Sequence, residues 1–360
     1  MRRLQTIAGA AALTLTAGMA GVPHADAATP QRTLASGLLS PLSLAVDGNG
    51  TAYVTQNFAG VLAKVRPGRS PKVLYQSKGG NEVGGVSVRD GRVIFTETSS
   101  DAQGNPADSW IKVLRHNGTA RTLAHVRGYE NRKNPDGKVT YGARGISPSC
   151  ASQWPVDKAG PAVYQGAKDS HPYATWQTRQ RTYVADAGMN AVISVSPRGK
   201  IHTVAVLPAV PVKITAQLAQ GAGIPACAVG LTYYGEPVPT DVQQAPDGSL
   251  YVTTEGGGLG EMMPLGALYR IRGKHIQMVA GGLFGAVGLA VKNNRTIFVA
   301  QLFGNEISKV TRSGKVSTFS KVNMPAALDR SLGHLYATTD VLVGAQPGGT
   351  PGGKVVRFRH

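Results

Sequence analysis

The sequence has few charged residues, and few of those are acidic. Asp, Glu, Lys and Arg make up 16% of the 360 residues, with 38 Lys and Arg against 20 Asp and Glu. Beyond the N-terminus, no segment has the sustained apolar spacing of an amphipathic helix. A chain with 46 Gly and 22 Pro is rich in turns, so we expect short strands and almost all β structure.

Cysteine is scarce as well, with Cys150 and Cys227 as the two cysteines of the chain. Two cysteines cannot form a structural zinc site alone, and these are not in a Cys-x-x-Cys pair. An even number in an exported protein favours a disulfide, so we expect a Cys150–Cys227 bond. The chain also lacks a Gly-x-Ser-x-Gly elbow, a His-Glu-x-x-His motif, a phosphate-binding glycine loop and an EF-hand loop.

Long apolar runs are missing except at the N-terminus. Arg2 and Arg3 precede an uncharged segment over residues 4–19, and an Ala-Asp-Ala cleavage pattern ends at Ala27. We predict a cleaved signal peptide over 1–27, because the apolar run is short for a membrane anchor. The remaining domain, 28–360, is then secreted and extracellular, with no membrane span.

The formal net charge of +18 predicts attraction to polyanions. The basic residues are spread along the chain and form no Lys/Arg run of the kind that marks a nucleic-acid arm. We therefore expect an extracellular polyanion or a small molecule as partner, no dedicated nucleic-acid site, and a monomer.

One unit recurs along the chain: an apolar strand, a tight turn, and a strand that begins near an aromatic residue. Clear copies are LAVDGNGTAYV (44–54), VQQAPDGSLYV (242–252) and LAVKNNRTIFV (289–299). Asp-Gly turns between such strands are typical of hairpins. The six aromatic anchors of the repeat, which we expect in the core, are Tyr53, Phe95, Tyr183, Tyr251, Phe298 and Tyr336.

Four strands per unit and about 40 residues per repeat indicate a six-bladed β-propeller. The last unit has one clear strand after its anchor, Gly353 to Phe358, so we expect residues 31–35 to complete that blade and remove an open edge. Two long gaps between anchors predict insertions at about 128–168 and 208–235. Each insertion connects the fourth strand of one blade to the first strand of the next blade. The two insertions should therefore form a two-flap lid on one face, joined by the disulfide.

The same face collects carboxylates at the entries of first strands. We predict a ligand site formed by Glu82, Asp169, His171, Glu236 and Asp241, with the first four facing one cavity beneath the insertions. Glu82, Asp169 and Glu236 are also candidate ligands for a divalent cation such as calcium. The alternative is structural: carboxylates at strand ends often cap backbone N–H groups, and a histidine there is often packed and hydrogen-bonded.

Three segments resemble a known family: YVADAG (183–188), EPVPTDV (236–242) and DSHPYA (169–174). The chain resembles the secreted ScyD/ScyE-type propellers, named after genes of scytonemin biosynthesis, over nearly the whole of 28–360. The resemblance implies a six-bladed propeller related to NHL-type and lactonase-like propellers. It implies no catalytic set.

Two functions of different classes follow from these patterns. The first is a secreted binding or scaffold protein with a lidded, acidic channel mouth. The second is a metal-assisted hydrolase of lactonase-like type, in which the cation polarises a carbonyl or activates water. A quinone-dependent dehydrogenase with His171 as base is a third possibility. Metal analysis of the purified protein separates the first two.

Overall fold

The predicted signal peptide lies outside the residues that the computed structural model describes, which are 31–359. The described part of the chain is mostly β. Its strands are β1 (Gln31–Leu38), β2 (Leu44–Val46), β3 (Ala52–Gln56), β4 (Val61–Val65), β5 (Lys72–Gln76), β6 (Glu82–Arg89), β7 (Arg92–Ser100), β8 (Pro106–Leu114), β9 (Ala120–His125), β10 (Thr140–Ala143), β11 (Val163–Gln165), β12 (Pro172–Gln177), β13 (Thr182–Asp186), β14 (Ala191–Val195), β15 (Ile201–Val206), β16 (Val210–Lys213), β17 (Thr232–Gly235), β18 (Pro239–Gln244), β19 (Leu250–Thr254), β20 (Gly266–Arg272), β21 (His275–Leu283), β22 (Ala286–Asn293), β23 (Thr296–Gln301), β24 (Glu306–Thr311), β25 (Val316–Lys321), β26 (Leu328–Ser331), β27 (His334–Thr339) and β28 (Gly353–Phe358).

The helices are short and lie almost entirely between the repeats. They are α1 (Val126–Lys133), α2 (Pro148–Ala151), α3 (Val156–Ala159), α4 (Ala216–Ala222) and α5 (Gly257–Gly260), with 3-10 turns at Asn57–Ala59 and Ala226–Ala228. Within the described part of the chain, none of them is long and apolar enough to cross a membrane.

The strands form four-stranded antiparallel sheets. Sheets 1 to 5 are β2–β5, β6–β9, β12–β15, β18–β21 and β22–β25, and sheet 6 has the order β26-β27-β28-β1. The first strands contact one another in a closed cycle, β2 to β6, β12, β18, β22, β26 and back to β2. This arrangement is that of a β-propeller.

The hairpin turns inside the sheets follow from Asp-Gly sequences. In the β2–β3 turn, Asp47 Oδ1 accepts the backbone N–H groups of Asn49 and Thr51, both at 2.9 Å. Gly50 has φ +76°, a conformation that glycine adopts without the steric cost of a side chain. These local contacts fix the register of the hairpin.

The N-terminal strand completes sheet 6, as the missing strand of the last repeat predicts. β1 pairs antiparallel with β28, with Gln31 opposite Phe358 and Thr33 opposite Val356. Because β1 comes from the opposite end of the chain, this pairing joins the two ends in one sheet.

The hydrophobic core lies between neighbouring sheets. Six clusters of buried residues each combine side chains from two adjacent sheets, from sheets 1 and 2 around to sheets 6 and 1. Five of the six predicted anchors are buried in these clusters, and Tyr183 is half-buried. Each anchor lies on the second strand of its sheet.

Candidate functional site

The two predicted insertions form one additional sheet. The first insertion contributes β10 and β11 and the second contributes β16 and β17, in the order β11-β10-β17-β16. Ala143 of β10 lies opposite Tyr233 of β17. Gly142 has φ +94°, and a Cβ there would lie 2.1 Å from the carbonyl oxygen of Ala162, so the bend in β10 requires glycine.

The Cys150–Cys227 disulfide joins the two insertions, and the prediction of this bond is confirmed. The bond joins residues 77 apart in sequence, with a Cα–Cα distance of 5.9 Å. Trp154, Ile214 and Ala219 pack with the buried Cys150 in a core separate from the six between the sheets. The insertions are therefore a small folded unit with their own sheet, core and cross-link.

A cavity of about 430 Å³ lies between this insertion sheet and sheets 2 to 4. The charged and aromatic side chains in its wall are Asp101, Arg127, Tyr164, Lys168, Asp169, Tyr233 and Glu236. Gly256, Gly257 and Gly258, in the loop after β19, form part of the opposite wall. Two of the predicted site residues, Asp169 and Glu236, thus line one cavity.

Arg127 and Asp169 pair on one side of the cavity. Arg127 Nη1 lies 3.3 Å from Asp169 Oδ1, and about a third of the Asp169 side chain is exposed. The guanidinium comes from the start of α1, and the carboxylate comes just before β12. The pair offers a ligand a hydrogen-bond donor and an acceptor side by side.

Glu236 meets two tyrosines on the other side. Tyr164 hydrogen-bonds to both Glu236 and Tyr233. Burial, followed by the charge of Glu236, raises the pKa of Tyr164, and burial raises the pKa of Tyr233. Both phenols are therefore neutral at pH 7 and can donate a hydrogen bond.

Glu82 and His171 form a buried pair outside the residues that line this cavity. His171 Nε2 lies 2.9 Å from Glu82 Oε2, and Asn57 Nδ2 donates to Glu82 Oε1 at 2.8 Å. Burial opposes the charged imidazole, but the Glu82 carboxylate outweighs it and raises the pKa of His171 to about 9. Burial also opposes the charged form of Glu82, yet His171 and Asn57 hold its pKa below the ordinary value.

This pair is an ion pair at neutral pH, which bears on the dehydrogenase possibility. With a raised pKa, His171 already carries its proton at pH 7 and is not available to accept another. The three residues come from sheets 1, 2 and 3, so the contacts connect three consecutive sheets.

Asp241 lies elsewhere, in the central channel formed by the first strands. It lines a separate cavity of about 130 Å³. Its Oδ1 accepts the Val242 N–H at 2.7 Å and its Oδ2 accepts the Leu289 N–H of sheet 5 at 2.8 Å. Burial raises the pKa of Asp241 to about 7, against these two hydrogen bonds. Asp241 therefore links sheets 4 and 5 and is not beside Asp169 and Glu236.

Sequence reasoning missed several of the polar residues in this region. The cavity is also lined by Arg127, Tyr164 and Tyr233. These residues lie in or next to the insertions, where no repeated strand pattern predicts which side chains face inward. Glu130 and Asp136 are completely buried beside Asp186. Burial, with the charges of Asp186 and Asp136, raises the pKa of Glu130 to about 8, and burial raises that of Asp136 to about 6.

The predicted metal set does not come together as a cluster. Glu82 is engaged with His171, whereas Asp169 and Glu236 line the cavity. Over residues 31–359, no group of three or more His, Cys, Asp and Glu side chains could hold a metal ion.

No protein-family model and no curated protein matches the chain. Its fold is similar to solved propeller structures at low sequence identity. These include the PQQ-bound aldose sugar dehydrogenase from Streptomyces coelicolor (14% identity, TM-score 0.54, 91% of this chain and 97% of that chain). They also include a gluconolactonase from Xanthomonas campestris (11% identity, TM-score 0.54, 92% and 90%) and the luciferin-regenerating enzyme (9% identity, TM-score 0.55, 92% and 95%). At these identities the similarity shows the fold alone, and that fold is the β-propeller of lactonase-like and sugar dehydrogenase structures.

Proposed function

We propose that the chain is a secreted, six-bladed β-propeller that binds a small polar organic molecule beneath a lid. The lid is the insertion sheet with its disulfide, and the binding site is the 430 Å³ cavity below it. The closed cycle of six first strands supports the blade count. The disulfide supports export to an oxidising compartment. The ScyD/ScyE-type resemblance is compatible with this architecture and adds no activity.

The observation that carries the binding function is the polar lining of the cavity. One side offers the Arg127–Asp169 pair, and the other offers Tyr164, Tyr233 and Glu236. Neutral phenols next to a carboxylate are suited to hydroxyl groups or an amine, whereas Arg127 and Lys168 are suited to a carboxylate. A hydroxylated or zwitterionic molecule of sugar-acid or amino-acid size satisfies both sides.

The lining favours binding over the hydrolase alternative. Over residues 31–359, no histidine lines the cavity, and its carboxylates, Asp101, Asp169 and Glu236, belong to no group of three or more His, Cys, Asp and Glu side chains that could hold a metal ion. A shared fold with a gluconolactonase does not transfer that activity, because function depends on the residues of the site.

Ligand binding should depend on Tyr164 and Glu236. The test is saturation-transfer NMR with a panel of sugar acids, polyols and amino acids, followed by calorimetry on each hit. Glu236→Gln should weaken binding about ten- to hundredfold, because it removes a charge-assisted hydrogen bond worth about 1.5–3 kcal/mol. Tyr164→Phe should weaken it about two- to tenfold, because it removes a neutral hydrogen bond worth about 0.5–1.5 kcal/mol.

The control is Tyr234→Phe, on β17 next to the cavity residue Tyr233. Successive residues of a strand point to opposite faces, and the Tyr234 ring lies 3.9 Å from the guanidinium carbon of Arg144 outside the cavity. This variant should bind normally. A panel without any hit, or hits that all three variants bind equally, would contradict the cavity as the binding site.

The opposite face supports a second function, binding of an extracellular polyanion. Turns from first to second and from third to fourth strands lie at the other end of each sheet, and their exposed basic residues are Arg66, Arg69, Arg115, Arg179, Arg181, Arg198, Lys200, Arg272, Lys274, Lys292, Arg295, Arg312 and Lys315. The exposed acidic residues of these turns, Asp90 and Asp247, pair with Arg89 and Arg270. The net positive charge is therefore concentrated on the face away from the lid.

We expect heparin, used as a model polyanion, to bind this basic face. Arg272→Glu/Lys274→Glu should lower affinity and flatten its decrease with salt, because fewer counterions are released. The same charge change on the lid side, Lys138→Glu/Lys213→Glu, is the control. Equal losses in both double variants, measured by fluorescence anisotropy at several salt concentrations, would mean that only net charge matters.

A further inference from the structure

Helix α1 and the residues that follow it hold four buried oxygen atoms that accept no hydrogen bond of good geometry. They are Glu130 Oε1 and Oε2, Asn134 Oδ1 and Asp136 Oδ1. The Glu130 and Asp136 side chains are completely buried. Buried polar atoms are nearly always paired in folded proteins, and an unpaired buried charge is far more costly than an unpaired neutral group. Four such acceptors within seven residues therefore call for a common partner.

The neighbours of these oxygens are mostly acceptors too. Burial and the charges of Asp186, Asp136 and Asp169 raise the pKa of Glu130, against a contact from the Asp169 backbone N–H. The remaining Asp136 oxygen accepts from Asn190 Nδ2 at 2.9 Å and from the Tyr141 hydroxyl at 3.1 Å, both neutral groups. Over residues 31–359, no ion pair involves Glu130 or Asp136. Arg127 pairs with the neighbouring Asp169, and no Lys, Arg or His of the described residues pairs with Glu130 or Asp136.

The backbone around these side chains is tightly closed. Asn134 caps α1 with φ 37°, and its Nδ2 donates to the Gly166 carbonyl at 3.1 Å, so its Oδ1 is the atom left over. A Cβ on Gly166 would lie 2.4 Å from Asp136 Oδ1. Glycine at 166 therefore allows the backbone to lie directly against the Asp136 carboxylate.

We propose that Glu130, Asn134 and Asp136 form a calcium-binding site that fixes the first insertion beside sheet 3. Calcium takes six to eight oxygen ligands from carboxylates, carboxamides, backbone carbonyls and water, in flexible geometry. The set combines two carboxylates with a carboxamide oxygen, so it differs from the set Glu82, Asp169 and Glu236. The competing account is a proton on Glu130, which would add one O–H donor beside these acceptors without a cation.

The test uses the full exported protein, stripped with a chelator and then titrated with CaCl₂ by calorimetry. We expect binding of one calcium ion per chain and a rise in the unfolding temperature as calcium is added. Glu130→Gln and Asp136→Asn should each weaken calcium binding at least tenfold. Without calcium, Glu130→Gln should unfold at the same temperature as the unsubstituted protein or higher, because burial raises the pKa of Glu130 to about 8 and glutamine resembles its protonated form. This readout also shows that the variant is folded.

Two further variants define the site. Asn134→Ala removes a neutral ligand and should weaken calcium binding without changing the charge. Asp157→Asn removes an exposed carboxylate of the same insertion and should leave calcium binding unchanged. The proposal is overturned if calcium at about 10⁻³ M, typical of weak extracellular sites, neither binds nor stabilises the protein. It is also overturned if Glu130→Gln alters only the pH dependence of unfolding. Neither result bears on ligand binding in the cavity, which is measured with different probes.

Discussion

Replacing His171 by alanine is expected to lower the free energy of unfolding by about 3–5 kcal/mol at pH 6, because it leaves Glu82 charged and buried without its ionic partner. The His171 side chain is 7% exposed and that of Glu82 is 17% exposed, so water can replace little of the lost interaction. Chemical denaturation followed by circular dichroism measures the effect. The double variant Glu82→Ala/His171→Ala should recover part of the loss, since no unpaired charge remains.

The pH dependence of this pair has a defined direction. The pKa of His171 is raised to about 9, so its contribution is complete below its ordinary value near 6.5 and is lost as pH rises through 9. The pKa of Glu82 is lowered, so its contribution is present above about 4.5 and is lost in acid. The difference in unfolding free energy between the unsubstituted protein and His171→Ala should be largest between about pH 4.5 and 6.5. A difference that stays constant from pH 4 to pH 10 would argue against an ion pair.

Removing the disulfide should have the next largest effect, and its effect should be local. With the cysteines 77 positions apart, the chain-entropy estimate for Cys150→Ser/Cys227→Ser is a loss of about 4.5 kcal/mol as an upper value. The insertion sheet is small, and three of its four strands are partly exposed, so little else holds the two insertions together. Hydrogen exchange should therefore increase over 140–165 and 210–235, while sheets 1 to 6 keep their protection.

Limited proteolysis of the same double variant gives an independent readout. Cleavage should begin within 144–162 or 214–231, and the 430 Å³ cavity should be lost together with the insertion sheet. Uniform destabilisation of all six sheets would contradict a local role for the bond. Unchanged exchange in the insertions would show that the insertion core around Trp154 holds the lid without the bond.

The sequence predicted the repeating part of the fold because that part is specified by neighbouring residues. Tyr53 and Tyr251 follow Asp-Gly turns within six residues, so the hairpins can be located from local pattern. The β1–β28 pairing followed from counting strands in the last repeat, and the disulfide followed from the cysteine number and the two insertions. None of these inferences required knowledge of which distant side chains meet.

The site was decided by tertiary structure, because its contacts join residues far apart in the chain. His171 and Glu82 are 89 positions apart, and Arg127 and Asp169 are 42 apart. Strand-end carboxylates look alike in sequence, yet Asp241 accepts backbone N–H groups in the channel whereas Asp169 faces the cavity. The sequence by itself determined the repeat, the closure and the cross-link, since turns and alternating strands are short-range features. Only packing of the insertions against the sheets decided which carboxylates are paired, which bridge sheets, and which are left with unpaired oxygens.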